Sequence, residues 1–466
     1  MAQISKIRFS QLSEYFGRID AEFYKPVSLF ADKIIKGQNY RSLGSLVSDG
    51  YRVVYESTKI LKSEQVNLDN DARFLQATNI SNDGLWIDVE DIGYVSVKDW
   101  QRYPKGRIKI GEVLIEVKGQ AEKVTIVQEY MPERTLVTGS VFKLTLKPST
   151  ISHEYLFAFF SSRFGKVLRD RTKVNTLIAY VSKPELYRIP IPLLDNEAHT
   201  RISNYVKDSF AKQKLSKDLY TQATQLLNET LGLNNIQFKK EKSYKASFSE
   251  VITNNRADAE FYDTKYNPYL EKINVFEAGT VPLLQCCERV TPNYNPKTER
   301  LNEIFYIEIG DISIADGAFQ FKKIKTKEAP ANAKIALKGG EILMSMVRPT
   351  RGAITIVPYD LPEGRVVCSG AFYVFNPKSP EHREIIWLYL RLLKHCFEKY
   401  CGGTSYPTIE PKYISFFPIP QFDLVVANEI KKLITDSTDA RNKSELLLEQ
   451  AKKEVETLIE QAANQS

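Results

Sequence analysis

The chain is poor in the residues that build metal and disulfide sites. Its 466 residues include five cysteines, Cys286, Cys287, Cys368, Cys396 and Cys401, with none in the first 285 positions. An odd number, with no pair at C-x-x-C spacing, argues against a disulfide framework and against a zinc ribbon. The four histidines, His153, His199, His382 and His395, include no pair four apart, which removes a helical two-histidine metal site. The longest apolar stretch with helical character, around 385–393, is far short of the ~20 residues that cross a bilayer. The opening MAQISKIRFSQL alternates polar with apolar residues and lacks a secretory apolar core. The expectation is a cytoplasmic protein with no membrane partner.

Catalytic signatures are scarce too. A DNA methyltransferase needs N-P-P-[YF] or D-P-P-[YF] to hold a flipped base. Here Asn295-Pro296 continues with Lys297, and Asn376-Pro377 with Lys378. There is no phosphate loop of the G-x-x-x-x-G-K-[ST] type, no G-x-S-x-G elbow and no H-E-x-x-H.

What is present is an ordinary folded composition: 43% hydrophobic and 26% charged residues. The length exceeds one hydrophobic core, so two to four domains are expected. A net charge of +7 and an isoelectric point near 8.8 permit nucleic-acid binding without demanding it.

The chain is written twice. Arg18-Ile19-Asp20-Ala21-Glu22-Phe23-Tyr24 returns as Arg256-Ala257-Asp258-Ala259-Glu260-Phe261-Tyr262. Further pairs follow in the same order, at spacings of roughly 230 residues. Phe74–Ser81 matches Tyr306–Ser313, Gly111–Ile115 matches Gly340–Met344, and Val124–Val127 matches Ile354–Val357. Gly139–Phe142 matches Ser369–Phe372, and Ile189–Pro192 matches Phe417–Pro420. A period of domain size means a tandem pair rather than a solenoid.

Within each copy, short β-branched runs such as Val113–Val117 and Val141–Leu146 read as strands. One helix is expected in each, over Ser152–Arg169 and Pro380–Tyr400. A long helix then follows each copy. In the second of these, Ile430, Leu433, Ser437, Ala440, Ser444, Leu447 and Ala451, then Val455, Leu458 and Ala462, form a coiled-coil seam. In the first, from about Asn196 to Leu231, the apolar side is Ile202, Val206, Ser209, Tyr220, Ala223, Leu227 and Leu231, with Gly232 and Asn234 as the cap. Two such seams are natural partners for each other.

The fold class predicted is therefore α+β. Strand-rich domains at 1–195 and 236–420 are each followed by a spacer helix, at 196–235 and 421–466. The polar loops of a rigid scaffold are where recognition residues belong. Arg and Lys suit guanine O6 and N7, while Asn and Gln suit adenine N6 and N7. In the first copy the candidates are Lys118, Gln120 and Lys123, then Lys173, Asn175 and Thr176, with Tyr51 and Arg52 for phosphate positioning. In the second they are Arg348 and Arg351, then Thr404, Ser405, Tyr406 and Thr408, with Arg289 and Tyr294. The loops fall at matching places but differ in letters, as two readers of different sequences would.

The ordered set R-x-D-A-E-[FY]-Y, G-[ED]-[IV]-L, G-x-[IV]-x-[IV]-V and P-[IL]-P, present twice, resembles the specificity subunit (S, or HsdS) of type I restriction-modification systems. That resemblance covers the whole chain. It implies a circular pseudo-dimer with an antiparallel coiled coil, each domain reading half of a bipartite double-stranded DNA site. It further implies two methyltransferase subunits docked on the helices. Those partners hold S-adenosylmethionine and methylate adenine N6, and a separate motor-nuclease subunit joins them for restriction. No cofactor, metal or catalytic residue is expected in this chain. A helix of some thirty residues spans about 45 Å, against about 34–36 Å for one DNA turn. Half-sites about one turn apart follow.

Two alternatives come from other classes. Glu116 and Lys118 form the strand-borne E-x-K of many metal-dependent nucleases. The matching strand, Leu343-Met344-Ser345-Met346-Val347-Arg348, keeps only the cation, which favours DNA contact over cleavage. The other alternative is a standalone DNA-binding regulator.

Overall fold

The structure is a computed structural model that describes residues 5–9, 12, 18–53, 58–174, 178–236, 243–403 and 405–465. It divides into two compact units, Met1–Ser216 with Asp439–Ser466, and Lys217–Thr438.

In the first unit, helix α1 (Pro26–Lys36) precedes strands β1 (Tyr40–Ser42), β2 (Val47–Arg52), β3 (Ala72–Leu75), β4 (Gly93–Val95), β5 (Val113–Glu116), β6 (Lys118–Gly119), β7 (Val124–Ile126), β8 (Thr135–Val137) and β9 (Val141–Leu146). Helices α2 (His153–Ser161) and α3 (Arg163–Thr172) and strands β10 (Ala179–Tyr180) and β11 (Pro190–Pro192) follow, then the long α4 (Asn196–Leu231), whose residues up to Ser216 belong to this unit. One antiparallel sheet has the order β2-β9-β5-β7, and a second has the order β4-β3-β8 with β3 and β8 parallel.

β5 is buried along its whole length, and the covering of both its faces explains why Val113–Ile115 read as apolar without alternation. Val113 and Ile115 join the cluster that holds Tyr155 to Phe160 of α2. Leu114, pointing the other way, joins Leu75 and Val137 of the second sheet.

The second unit repeats this plan. Its strands are β12 (Thr280–Pro282), β13 (Cys287–Val290), β14 (Glu303–Ile307), β15 (Lys322–Lys325), β16 (Ala333–Ala336), β17 (Ile342–Ser345), β18 (Ile354–Ile356), β19 (Val366–Ser369) and β20 (Phe372–Pro377). After α5 (Arg383–Leu392) come β21 (Cys401–Gly402), β22 (Thr408–Ile409), β23 (Pro418–Pro420) and α6 (Leu424–Gln465), whose residues from Asp439 onward belong to the first unit. The sheet orders β13-β20-β17-β18 and β15-β14-β19-β16 match those of the first unit strand for strand, apart from β16. There the first unit has only an isolated bridge, Arg107 to Leu136. The closing P-I-P strands pair alike: Ile191 opposite Arg41, and Ile419 opposite Val281.

The helix expected over Ser152–Arg169 is two helices. The Ser162 hydroxyl accepts from the Gly165 amide and caps a new start. A Cβ at Gly165 would lie 2.0 Å from the Phe159 carbonyl, so the bend depends on glycine. In the second unit α5 likewise ends at Leu392 and gives way to a 3-10 stretch, Lys394–Tyr400.

The long helices pair within each unit. In the first, the hydroxyls of Ser209 and Ser444 each donate to the other's backbone carbonyl, at 2.8 and 2.7 Å, and Arg201 meets Glu454 at 2.9 Å. The ascending 201 and 209 against the descending 454 and 444 make the pairing antiparallel. In the second, Ala223, Leu227 and Leu231 share a cluster with Ala427, Ile430 and Ile434. Two seam positions shift by one residue, because Ile434 and Ile459 are the buried ones while Leu433 and Leu458 are half-buried. α4 ends as expected: Gly232 has φ +64°, and the Leu233 amide donates to the Asn228 carbonyl. No helix among the described residues is long and apolar enough to cross a membrane.

Candidate nucleic-acid interface

In each unit two polar loops are tied side by side at the end of the central strand. In the first, β6 pairs with β10, placing Lys118 opposite Tyr180, and the Val181 amide donates to the Val117 carbonyl at 2.9 Å. In the second, the Ile409 amide donates to the Met346 carbonyl at 2.9 Å, and the Arg348 amide to the Pro407 carbonyl at 2.7 Å.

A half-buried arginine at each site is supported by an aromatic ring. The Arg52 guanidinium lies 4.6 Å from the centre of the Tyr180 ring, and its Nη1 donates to the Tyr180 hydroxyl at 2.6 Å. Arg348 lies 4.4 Å from the centre of the Tyr406 ring and donates to the Ser405 carbonyl at 3.1 Å. Tyr406 itself is 67% exposed. Stacking holds the planar guanidinium fork without using all of its donors, which suits bidentate recognition. Arg348 also has φ +49°, so its own backbone makes the turn that presents it.

Lys118, Gln120, Arg351, Ser405, Thr408 and Arg289 are exposed. Arg289 sits on the sheet, 4.9 Å from the centre of the Tyr373 ring. Tyr51 is half-buried against the cluster of Leu75 and Val137.

Three expected contacts are turned inward or already engaged. The Lys123 ammonium donates to the carbonyls of Ala77 and Ile80, at 3.1 and 2.6 Å, and burial lowers its pKa. Lys173 is paired with Asp170 at 2.7 Å and Glu122 at 3.6 Å. The Tyr294 hydroxyl is buried, and burial raises its pKa. Sequence alone does not tell an outward loop cation from one that ties the loop down. Asn175, Thr176 and Thr404 lie outside the described residues.

Glu116 has a structural task. Its carboxylate, 7% exposed, accepts from the amides of Gln120, Glu122 and Lys123 at 3.3, 3.0 and 3.2 Å. It caps the loop from beneath, and a Cβ at Gly119, where φ is +120°, would lie 2.7 Å from its Oε1. Ser345 does the matching work with one hydroxyl, which accepts from the Val347 amide and donates to the Val347 carbonyl. The E-x-K pattern is thus a loop cap plus an exposed lysine.

Four arginines that sequence reasoning passed over fasten these loops. Arg169 of α3, buried enough that its pKa falls to about 10, donates to the Glu122 carbonyl at 2.8 Å. Arg391 of α5 donates to the Gly352 carbonyl at 2.8 Å, the matching point of the other loop. Arg18 donates to the Lys173 carbonyl at 3.1 Å. Arg256 donates to the carbonyls of Tyr400 and Cys401 at 3.1 and 2.8 Å. The signal for the last two was the R-x-D-A-E-F-Y repeat itself.

No known family's sequence profile matches the chain, and no curated protein sequence matches it. Solved structures do align with it. An S subunit of a type I restriction-modification system from M. genitalium covers 91% of this chain and 95% of its own, at 12% identity and a TM-score of 0.43. The HsdS subunit of Thermoanaerobacter tengcongensis covers 91% and 96%, at 14% identity and a TM-score of 0.28. A chain from a study of assembly and conformational transition in a type I restriction-modification system covers 91% and 97%, at 12% and 0.29. Over 91% of its length the chain is similar to two S subunits and to this third chain, all of type I restriction-modification systems.

Proposed function

We propose that the protein is the DNA-reading specificity subunit of a type I restriction-modification complex, with no catalytic site of its own. One observation carries the reading. Two units with the same strand order present the same pair of fastened loops at the same place, yet with different side chains. Lys118 and Gln120 stand with the Arg52–Tyr180 stack in one, Arg351 and Ser405 with the Arg348–Tyr406 stack in the other. Two readers of one design and different letters fit a bipartite site, each half read in the major groove. Thr408 belongs to the same proposed face, Asn175, Thr176 and Thr404 stand in the same loop sequences, and Tyr51 and Arg289 are assigned to phosphate rather than to bases.

The paired helices fit a spacer that sets the distance between half-sites and receives two methyltransferase subunits. These supply S-adenosylmethionine and transfer its methyl group to adenine N6, and a motor-nuclease subunit adds restriction. The nuclease alternative loses its metal ligand, since the Glu116 carboxylate is occupied by three amides.

The test is methylation-sensitive long-read sequencing of the host with and without this gene. The expected result is a two-part methylated motif that disappears with the gene. An unchanged methylome would overturn the proposal.

A further inference from the structure

The repeated heptad does something that neither its composition nor the loops explain. In the first copy, Arg18 grips Asp20 with two hydrogen bonds of 2.8 and 3.1 Å and lies 4.3 Å from the centre of the Phe23 ring. The Tyr24 hydroxyl donates back to the Arg18 carbonyl at 2.8 Å. In the second, Arg256 grips Asp258 at 2.7 and 2.5 Å and lies 4.8 Å from the Phe261 ring, and the Tyr262 hydroxyl donates to the Arg256 carbonyl at 2.8 Å. Each of the four letters R, D, F and Y has the same partner in both copies. Each guanidinium reaches further, Arg18 to Glu185 at 3.6 Å and Arg256 to within 5.5 Å of the centre of the Tyr413 ring. Each also binds the backbone carbonyl where the second polar loop departs, Lys173 in one copy, Tyr400 and Cys401 in the other.

We infer that Arg18 and Arg256 are positioning residues for DNA specificity: each heptad anchors the recognition loop of its own copy. The inference rests on reading these loops as DNA readers. At its far end each loop is fastened by the strand bridge, Val117 to Val181 or Met346 to Ile409. At its near end the fastening includes the heptad arginine. Between the two lie Lys173 to Tyr180, or Cys401 to Thr408, segments whose polar side chains differ between the copies. Base recognition tolerates misplacement of only about half an ångström. Backbone pairing also closes the base of each loop, Val174 with Tyr180 or Cys401 with Ile409, so losing the arginine would loosen the loop and cost discrimination before phosphate affinity. Only arginine can play the part. Its planar fork spans a carboxylate and backbone carbonyls at once while lying over a ring, which a lysine cannot do. The anchor is the same in both copies because it reads nothing, and the loops differ because they do.

The experiment uses the full chain and two readouts. Hydrogen exchange of the segment 398–410 is compared for wild type, Arg256→Ala and Asp258→Asn. Methylated motifs are called from hosts carrying wild type, Arg256→Ala, Arg256→Lys, Asp258→Asn, Arg348→Ala or Arg18→Ala. Arg256→Ala should raise exchange in that segment by about tenfold or more. It should also lower discrimination by about tenfold, in the same half-site that Arg348→Ala degrades. Arg256→Lys should not restore it. Asp258→Asn keeps the arginine and gives a weaker effect of the same kind if Arg256→Ala does not fold. Arg18→Ala should degrade the other half. Unchanged exchange in both Arg256→Ala and Asp258→Asn overturns the anchor. Raised exchange with an unchanged motif, or equal loss in both halves, overturns its role in specificity. A wild-type motif without two halves overturns the functional reading alone, and the exchange data still judge the anchor.

Discussion

Replacing Glu116 separates the loop-cap role from a catalytic one. Its carboxylate receives the amides of Gln120, Glu122 and Lys123, at 3.3, 3.0 and 3.2 Å, from a buried position at the end of β5. Leaving a buried donor unsatisfied costs about 1–3 kcal/mol. The side chains of Gln120 and Glu122 are exposed, so water reaches part of this loop and the three losses do not add in full. Glu116→Ala should therefore lower the unfolding free energy by about 2–4 kcal/mol. Glu116→Gln keeps one acceptor oxygen and should cost about half as much. The assay is urea denaturation of the purified chain, run beside a magnesium-dependent DNA cleavage assay. A cap predicts loss of stability in both variants and no cleavage by wild type. Wild-type cleavage abolished in Glu116→Ala, with stability unchanged, would refute the reasoning.

Arg348→Ala with Arg351→Ala should relax or abolish one half of the methylated motif, at about 1–3 kcal/mol per lost bidentate contact, while Lys118→Ala with Gln120→Ala should affect the other half. Motif sequencing checks both, and one contiguous motif degraded by either pair would sink the two-reader reading. Lengthening α4 by one turn between Lys212 and Tyr220 should widen the gap between half-sites and leave their letters unchanged, read from the same data. Truncation after Phe422 should unfold both units as well as prevent assembly. It removes Ile430 and Ile434 from one core and Val455 and Ile459 from the other, each worth about 1.5–3 kcal/mol of burial, and circular dichroism would show the loss. Burial lowers the pKa of His395 to about 4, against about 6.5 when unfolded. Its contribution is full above pH 6.5 and is lost as pH falls toward 4, so urea midpoints should drop over that window, and His395→Gln should flatten the drop.

Much of the architecture is legible in the letters. The ordered blocks give the duplication, because a strand of fixed period needs the same apolar positions wherever it recurs. The alternating three and four steps of α6 give the seam, because only one face of a helix can meet a partner. The break at Ser162 was not legible. Tyr155 to Phe160 and Phe164 to Leu168 are apolar enough to suggest one helix, and only the contact of Gly165 with the Phe159 carbonyl divides them.

The candidate site divides in the same way. Which loops are polar, cationic and different between copies is a local property, and composition carries it. The direction of each side chain is not local. Lys118 faces solvent while Lys123, five residues on, holds the carbonyls of Ala77 and Ile80, which come from a distant strand end. The E-x-K spacing left a nuclease alternative open because spacing records neighbours along the chain, while the three amides at Glu116 come from a turn that only the folded loop brings back over it. The heptad shows the division most plainly. Sequence determined that R, D, F and Y recur together, since a bidentate pair, a stacked ring and a returning hydroxyl need those side chains at that spacing. Tertiary structure alone decided what they hold, because the carbonyls of Lys173, Tyr400 and Cys401 lie roughly 150 residues away along the chain and carry no side-chain signal at all.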